Sequence, residues 1–231
     1  MKILHLYHDL MNLYGDYANI SALCRILDTN GVEYTLERQS LGFEVNLLDY
    51  DFIYVGSGTE QNQKLALSHL MEYKDDLKSY IEQGKFALFT GNSFEMLGKS
   101  ISGFMGDYEG LGIFDFTTEE QNKTRNTADA IVKFEGLDTE LVGFINKCSE
   151  ISGVGTPLFE IERGLGNINN EKTEGILKGN FYGTHLTGPI LVKNPHFLKY
   201  IAEKLVGGEL LGEAFTNEKK GFEITLKNLK G

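Results

Sequence analysis

The chain has 231 residues, 41% of them hydrophobic, and a formal net charge of -11 distributed along its length. That is enough apolar material for a sizeable core and suits a single domain over 1–231, while the acidic surplus argues against nucleic acid or an anionic membrane as a partner, because both would be repelled. No apolar run approaches the roughly 18 residues of a spanning helix, and the opening MKILHLYHDL does not read as a signal peptide, so a cytoplasmic protein is expected.

The first half alternates strand-like and helix-like pieces. KILHLY (2–7) reads as a strand, followed by a polar loop and a helix over 17–29 whose apolar stripe is Ile20, Leu23, Cys24 and Leu27. Asn30-Gly31 stops that helix, and VEYTLER (32–38) alternates as a second strand. DFIYVG (51–56) is a third, and a long helix over 62–82 follows with Leu67, Leu70, Met71, Leu77 and Ile81 on one face. KFALF (85–89) is an unbroken apolar run, as buried parallel strands are. Strands alternating with helices in this way specify a doubly wound α/β sheet. Beyond residue 108 the runs become shorter and β-like, 117–128 is polar enough to be a mobile loop, and a last helix is expected over 195–206, with Pro195 in its first turn and Gly207-Gly208 after it.

In such sheets ligands bind at the carboxyl ends of the strands. Two ends carry glycines: Gly56-Ser57-Gly58 after the third strand, and Thr90-Gly91-Asn92-Ser93 after the next. Their backbone N–H groups could converge on a developing oxyanion, or the glycines could simply let the strands turn; spacing allows both. His185 lies near the Gly-rich turn in FYGTHLTGPIL (181–191) and is a candidate general base. Cys24 and Cys148 are far apart, and no cysteine or histidine has a companion at metal-ligand spacing, so neither a disulfide nor a metal is expected.

Six blocks in order, NLYGDYANISAL (12–23), DFIYVGSGTEQNQ (51–63), FTGNSFEMLGK (89–99), EGLGIFDF (109–116), GLGN (164–167) and GTHLTGPIL (183–191), resemble the class-I glutamine amidotransferases. Within these they are most similar to the cobyric acid synthase type that includes the amidotransferase subunit of lipid II isoglutaminyl synthase. The resemblance covers about 1–195 and implies a flavodoxin-like, mostly parallel sheet with helices on both faces. It also implies hydrolysis of glutamine to glutamate and ammonia by a cysteine thiolate, a histidine and oxyanion-binding amides. The ammonia would pass to a Mur-ligase-like partner that uses ATP to activate a carboxylate on a cell-wall precursor, so no cofactor is expected on this chain.

The sequence departs from that pattern where the chemistry sits. The family elbow reads Cys-Gly-Gly, then an aromatic residue, Gln, an apolar residue, Leu and Gly; Phe94-Glu95-Met96-Leu97-Gly98 fixes the register and puts Gly91 in the nucleophile slot, followed by Asn92 and Ser93. The family turn Gly-Thr-Tyr-Leu-His-Gly-Pro falls on Gly183 to Pro189, so Thr187 takes the base slot and His185 stands at the tyrosine. A family segment resembling Phe-Glu-Asn-His-Gly-Gly-Arg, with an arginine thought to meet substrate, reads FINKCSE at 144–150. A Cys–His pair acts as a unit, and both members are replaced, so loss of glutaminase activity is expected. What would remain is an oxyanion-type loop of Gly56, Ser57, Gly58 and Asn92, with a small-molecule ligand in the elbow pocket as one expectation. Two alternatives stay open: a hydrolase with Ser93 or Cys148 as nucleophile and His185 as base, and a plain interaction scaffold.

Overall fold

The computed structural model describes residues 1–104, 106–121, 125–211 and 215–231. In chain order the elements are β1 (Lys2–Leu6), α1 (Tyr17–Thr29), β2 (Thr35–Gln39), β3 (Phe52–Val55), α2 (Glu60–Leu70), α3 (Lys74–Glu82) and β4 (Phe86–Thr90). Short strands follow: β5 (Ser100–Ser102), β6 (Tyr108–Glu109), β7 (Thr117–Glu120), β8 (Asn126–Lys133), β9 (Leu141–Lys147), β10 (Ser149–Ser152), β11 (Phe159–Arg163), β12 (Thr173–Glu174), β13 (Ile176–Lys178), β14 (Phe181–Thr184) and β15 (Leu186–Thr187). The chain closes with α4 (Ile190–Lys193), α5 (Pro195–Val206) and α6 (Thr216–Lys230).

The central sheet has the order β13-β14-β4-β3-β1-β2. Every neighbouring pair from β14 to β2 is parallel, and β13 adds an antiparallel edge. Alternate residues of its strands feed two cores, as the period-2 pleat requires. Ile3, Tyr54 and Leu88 pack toward α1 and α5, while Leu4, Ile53, Ala87 and Phe89 pack toward α2 and α3. This two-sided burial explains why β3 and β4 read as unbroken apolar runs. The flavodoxin-like doubly wound architecture is therefore present, with two smaller sheets added to it, β10-β7-β5-β6 and β12-β11-β8-β9-β15.

Three expectations are corrected. The helix expected over 62–82 is two helices joined by a tight turn at Met71–Tyr73, where Tyr73 lies on the Phe43 ring at 4.4 Å and donates its hydroxyl to the Phe43 carbonyl. The loop expected over 117–128 contains β7, paired with β10 and β5, and the start of β8; 122–124 lie outside the described residues. Its polarity hid a strand because Glu120, buried in β7, is matched by Lys64. The helix at 195–206 is not the last: α6 follows, fully buries no residue, and is tied down by Arg25–Glu218, Lys230–Glu140 and a contact between the His196 and Phe222 rings.

Candidate functional site

The carboxyl ends of β3 and β4 bring the two glycine loops together. Gly91 follows β4 in the left-handed region, φ +63, which a side chain adopts only under strain. A tight helical segment, Gly91–Leu97, then runs on in place of an ordinary helix. A Cβ placed on Gly91 would lie 2.3 Å from Ser57 Oγ and 2.4 Å from Ser57 Cβ. The room that a nucleophile at this position needs is therefore taken by the Ser57 side chain.

The loop N–H groups are also occupied. Ser57 N donates to Asp16 Oδ2 at 2.7 Å, and Gly58 N donates to Asn92 Oδ1 at 3.0 Å. Asp16 is fully buried and receives the Thr90 hydroxyl as well, at 2.8 Å. Burial pushes its carboxyl up to about 6, against the opposing pull of the Thr90 and Ser57 hydrogen bonds. Packing requires glycine at Gly56, where a Cβ would lie 2.3 Å from the Met11 carbonyl oxygen, while a Cβ on Gly58 would meet the Met11 side-chain sulfur at 2.3 Å.

The remaining sequence candidates are placed as follows. Ser93 is fully buried and donates to the carbonyls of Thr90 at 2.8 Å and Val55 at 3.1 Å. Thr187 donates to the Phe144 carbonyl at 2.9 Å. The Cys148 thiol lies 3.2 Å from Glu60 Oε1, and burial first, with the Glu60 charge second, pushes its pKa up to about 12. His185 sits at the passage from β14 to β15, where the chain leaves the central sheet for the five-stranded one. Its Nε2 is 2.9 Å from Glu95 Oε1 and its Nδ1 is 3.3 Å from Glu174 Oε1. Of the proposed pair, His185 lines the pocket and Ser93 does not.

Around His185 the site is a buried polar node. Glu95 also accepts from Ser149 Oγ at 2.5 Å and from Gln63 Nε2 at 2.9 Å. Glu174 accepts from the His185 backbone N–H at 2.7 Å and the Thr184 hydroxyl at 2.6 Å. Lys64 pairs with Glu120 at 2.6 Å, both buried, and Lys147 Nζ donates to the carbonyls of Gly166 and Asn167. Burial disfavours a charged imidazole, but the bonds from Glu174 and Glu95 outweigh it and raise the His185 pKa. Burial likewise works against the Glu95 carboxylate, and His185, Ser149 and Gln63 together lower its pKa. The space left between Ser57, Asn92, Cys148 and His185 is about 10 Å³, room for a group the size of one water.

Sequence reading missed Gln63, Lys64, Glu120, Lys147, Ser149 and Glu174 as members of this node, and Asp16 as the buried carboxylate that holds the glycine loop. One signal was available. Glu95 stands where the resembled pattern has Gln and His185 where it has Tyr, and the structure puts these two exchanged residues in direct contact. Among the described residues no group of three or more His, Cys, Asp or Glu is placed to hold a metal, and no helix is long and apolar enough to cross a membrane.

A doubly wound sheet with an elbow after β4 and a glycine loop after β3 is the frame of a class-I amidotransferase, and comparison with known families agrees. The model of the CobB/CobQ-like glutamine amidotransferase domain matches residues 2–195, and the chain belongs to that family. It is 35% identical over 210 residues to a Staphylococcus aureus protein, the GatD subunit of lipid II isoglutaminyl synthase (glutamine-hydrolyzing), covering 88% of this chain and 84% of that one. The Streptococcus pneumoniae GatD subunit is 30% identical over 197 residues, covering 84% of this chain and 76% of its own. A solved glutamine amidotransferase superposes with a TM-score of 0.57 at 17% identity, over 89% of this chain and 98% of the other, and supports the fold.

Proposed function

We propose that this chain is a GatD-like amidotransferase subunit without glutaminase chemistry, acting in the cytoplasm as the non-catalytic partner of a Mur-ligase-like protein that uses ATP. The observation that carries the reading is the elbow: the nucleophile slot is Gly91, and Ser57 fills the space its side chain would need. Thr187 in the base slot has no useful proton affinity near neutrality, and its hydroxyl is committed to Phe144. The matching relatives are subunits of a glutamine-hydrolyzing lipid II isoglutaminyl synthase, which supports a subunit role in amidating a cell-wall precursor. Cofactor chemistry would then sit on the partner.

A hydrolase with a relocated nucleophile has less support. The Ser93 hydroxyl donates to two main-chain carbonyls, and a Cys148 thiol pushed up to about 12 holds its proton at neutral pH. The test is glutamate release from L-glutamine by the purified chain, alone and with a co-purified Mur-ligase-like partner, together with labelling by an electrophilic glutamine analogue. Neither release nor labelling is expected. Release that Cys148→Ala or His185→Ala abolishes would overturn the reading.

A further inference from the structure

β1 lies between β2 and β3, where the strand order of the central sheet reverses, and ligands of doubly wound sheets gather at the carboxyl ends of such strands. His5, near that end, stands in register with Arg38 on β2 and Tyr54 on β3, so the three side chains share one face. The chain turns at Tyr7, φ +53, and the His8 ring lies edge-on to that of His5, 6.1 Å between centroids. Two of these groups lack the partners their chemistry calls for. His5 is 2% exposed and neither of its ring nitrogens has a hydrogen-bond partner, whereas buried polar groups are as a rule bonded. Of the four arginines, Arg25 pairs with Glu218, Arg125 pairs with Glu60 and Arg163 donates to the Leu229 carbonyl. Arg38 is exposed and has no hydrogen bond or ion pair among the described residues. Asp9, the carboxylate that acts on His8, is taken by the Ser40 hydroxyl at 2.5 Å.

We propose that His5, His8 and Arg38 form a binding site for a small tetrahedral oxyanion, phosphate or the phosphate group of a monoester, at this reversal of strand order. Arg38 supplies a fixed positive charge and a forked donor that matches phosphate oxygens. Each imidazole has a ring N–H to offer a further oxygen. Burial first, then the positive fields of His8 and Arg38, pushes the His5 pKa down to about 4, so near neutral pH the His5 ring is an uncharged donor and Arg38 carries the charge. A cation is disfavoured by the same guanidinium and by the commitment of Asp9 to Ser40. With Arg38 exposed and His8 half-buried, the site opens to solvent on their side. None of the three residues lines the pocket beside Gly91, so the inference stands apart from the reading of the elbow.

The test is a titration of the full-length, isotope-labelled chain with inorganic phosphate near neutral pH and at fixed ionic strength, following the ring resonances of His5 and His8 and the Arg38 side chain by NMR. A common, saturable shift is expected, with a dissociation constant on the order of 1 mM. Arg38→Gln changes an exposed residue, and His5→Phe replaces an unpartnered buried ring by an apolar one, so both variants are expected to fold. Each should bind phosphate about tenfold more weakly or worse. Absence of saturation, or unchanged affinity in both variants, would overturn the site; acetate saturating as tightly as phosphate would overturn the class of anion. Phenyl phosphate in a parallel titration separates the two sources: tighter binding than inorganic phosphate assigns the site to a phosphorylated molecule, and equal or weaker binding assigns it to free phosphate. Glutamate release by the unmodified chain would count against the functional reading and leave this titration untouched.

Discussion

Glu95 and His185 form a buried ion pair, each 2–3% exposed at the side chain, with Glu174 on the other side of the imidazole. Removing one member of such a pair strands a buried charge, whereas replacing both by neutral groups that fit is far less costly. Glu95→Gln is therefore expected to destabilise the chain by about 3 kcal/mol, and Glu95→Gln combined with His185→Tyr to recover only part of that loss, because buried Glu174 then loses its imidazole partner, measured by urea denaturation. The pH dependence follows from the two directions. The His185 pKa is raised from 6.5, so its contribution is full below 6.5 and is lost as pH rises through the raised value. The Glu95 pKa is lowered from 4.5, so its contribution is full above 4.5 and is lost as pH falls through the lowered value. The stability difference between the native chain and the double variant should be largest between about 4.5 and 6.5 and shrink on both sides. A difference that does not change with pH would contradict a charged pair.

At the scale of elements, the strand-to-helix turn after β4 opens on Gly91, in the slot where the resembled pattern has a cysteine. Gly91 keeps φ +63, and the neighbouring loop has filled the space above it with Ser57. Placing a cysteine there is then a packing problem before it is a chemical one. Gly91→Cys should cost about 2–4 kcal/mol from overpacking and left-handed strain, and Ser57→Gly in the same chain should return the packing part. A double-mutant cycle on denaturant midpoints measures this; additive effects would show that Ser57 does not obstruct the slot. The turn was legible in FALFTGNSFEMLG because an apolar run, a glycine and a helical start are local features. The Gly56-Ser57-Gly58 loop was legible for the same reason, but not that Ser57 packs on Gly91, because the two lie more than thirty residues apart in the chain.

Across the whole molecule, the polar node joins all three sheets. Lys64 comes from α2, Glu120 and Ser149 from the four-stranded sheet, Lys147 and Glu174 from the five-stranded one, and His185 from the exit of the central sheet. Glu120→Ala, which leaves buried Lys64 without its carboxylate, is expected to speed amide exchange in β7 and β10 while β1, β3 and β4 keep their protection. Uniform loss of protection would mean that the sheets unfold as one unit. The alternation of a doubly wound, mostly parallel sheet and the identity of the residues at 91 and 187 were legible along the chain, because alternation, apolar runs and motif register are properties of neighbours in sequence. That Ser57 fills the space at Gly91, that Asn92 caps Gly58, and that Glu95 meets His185 were decided only by tertiary structure, because each contact joins residues far apart in the chain whose pairing depends on how the strands and loops are packed.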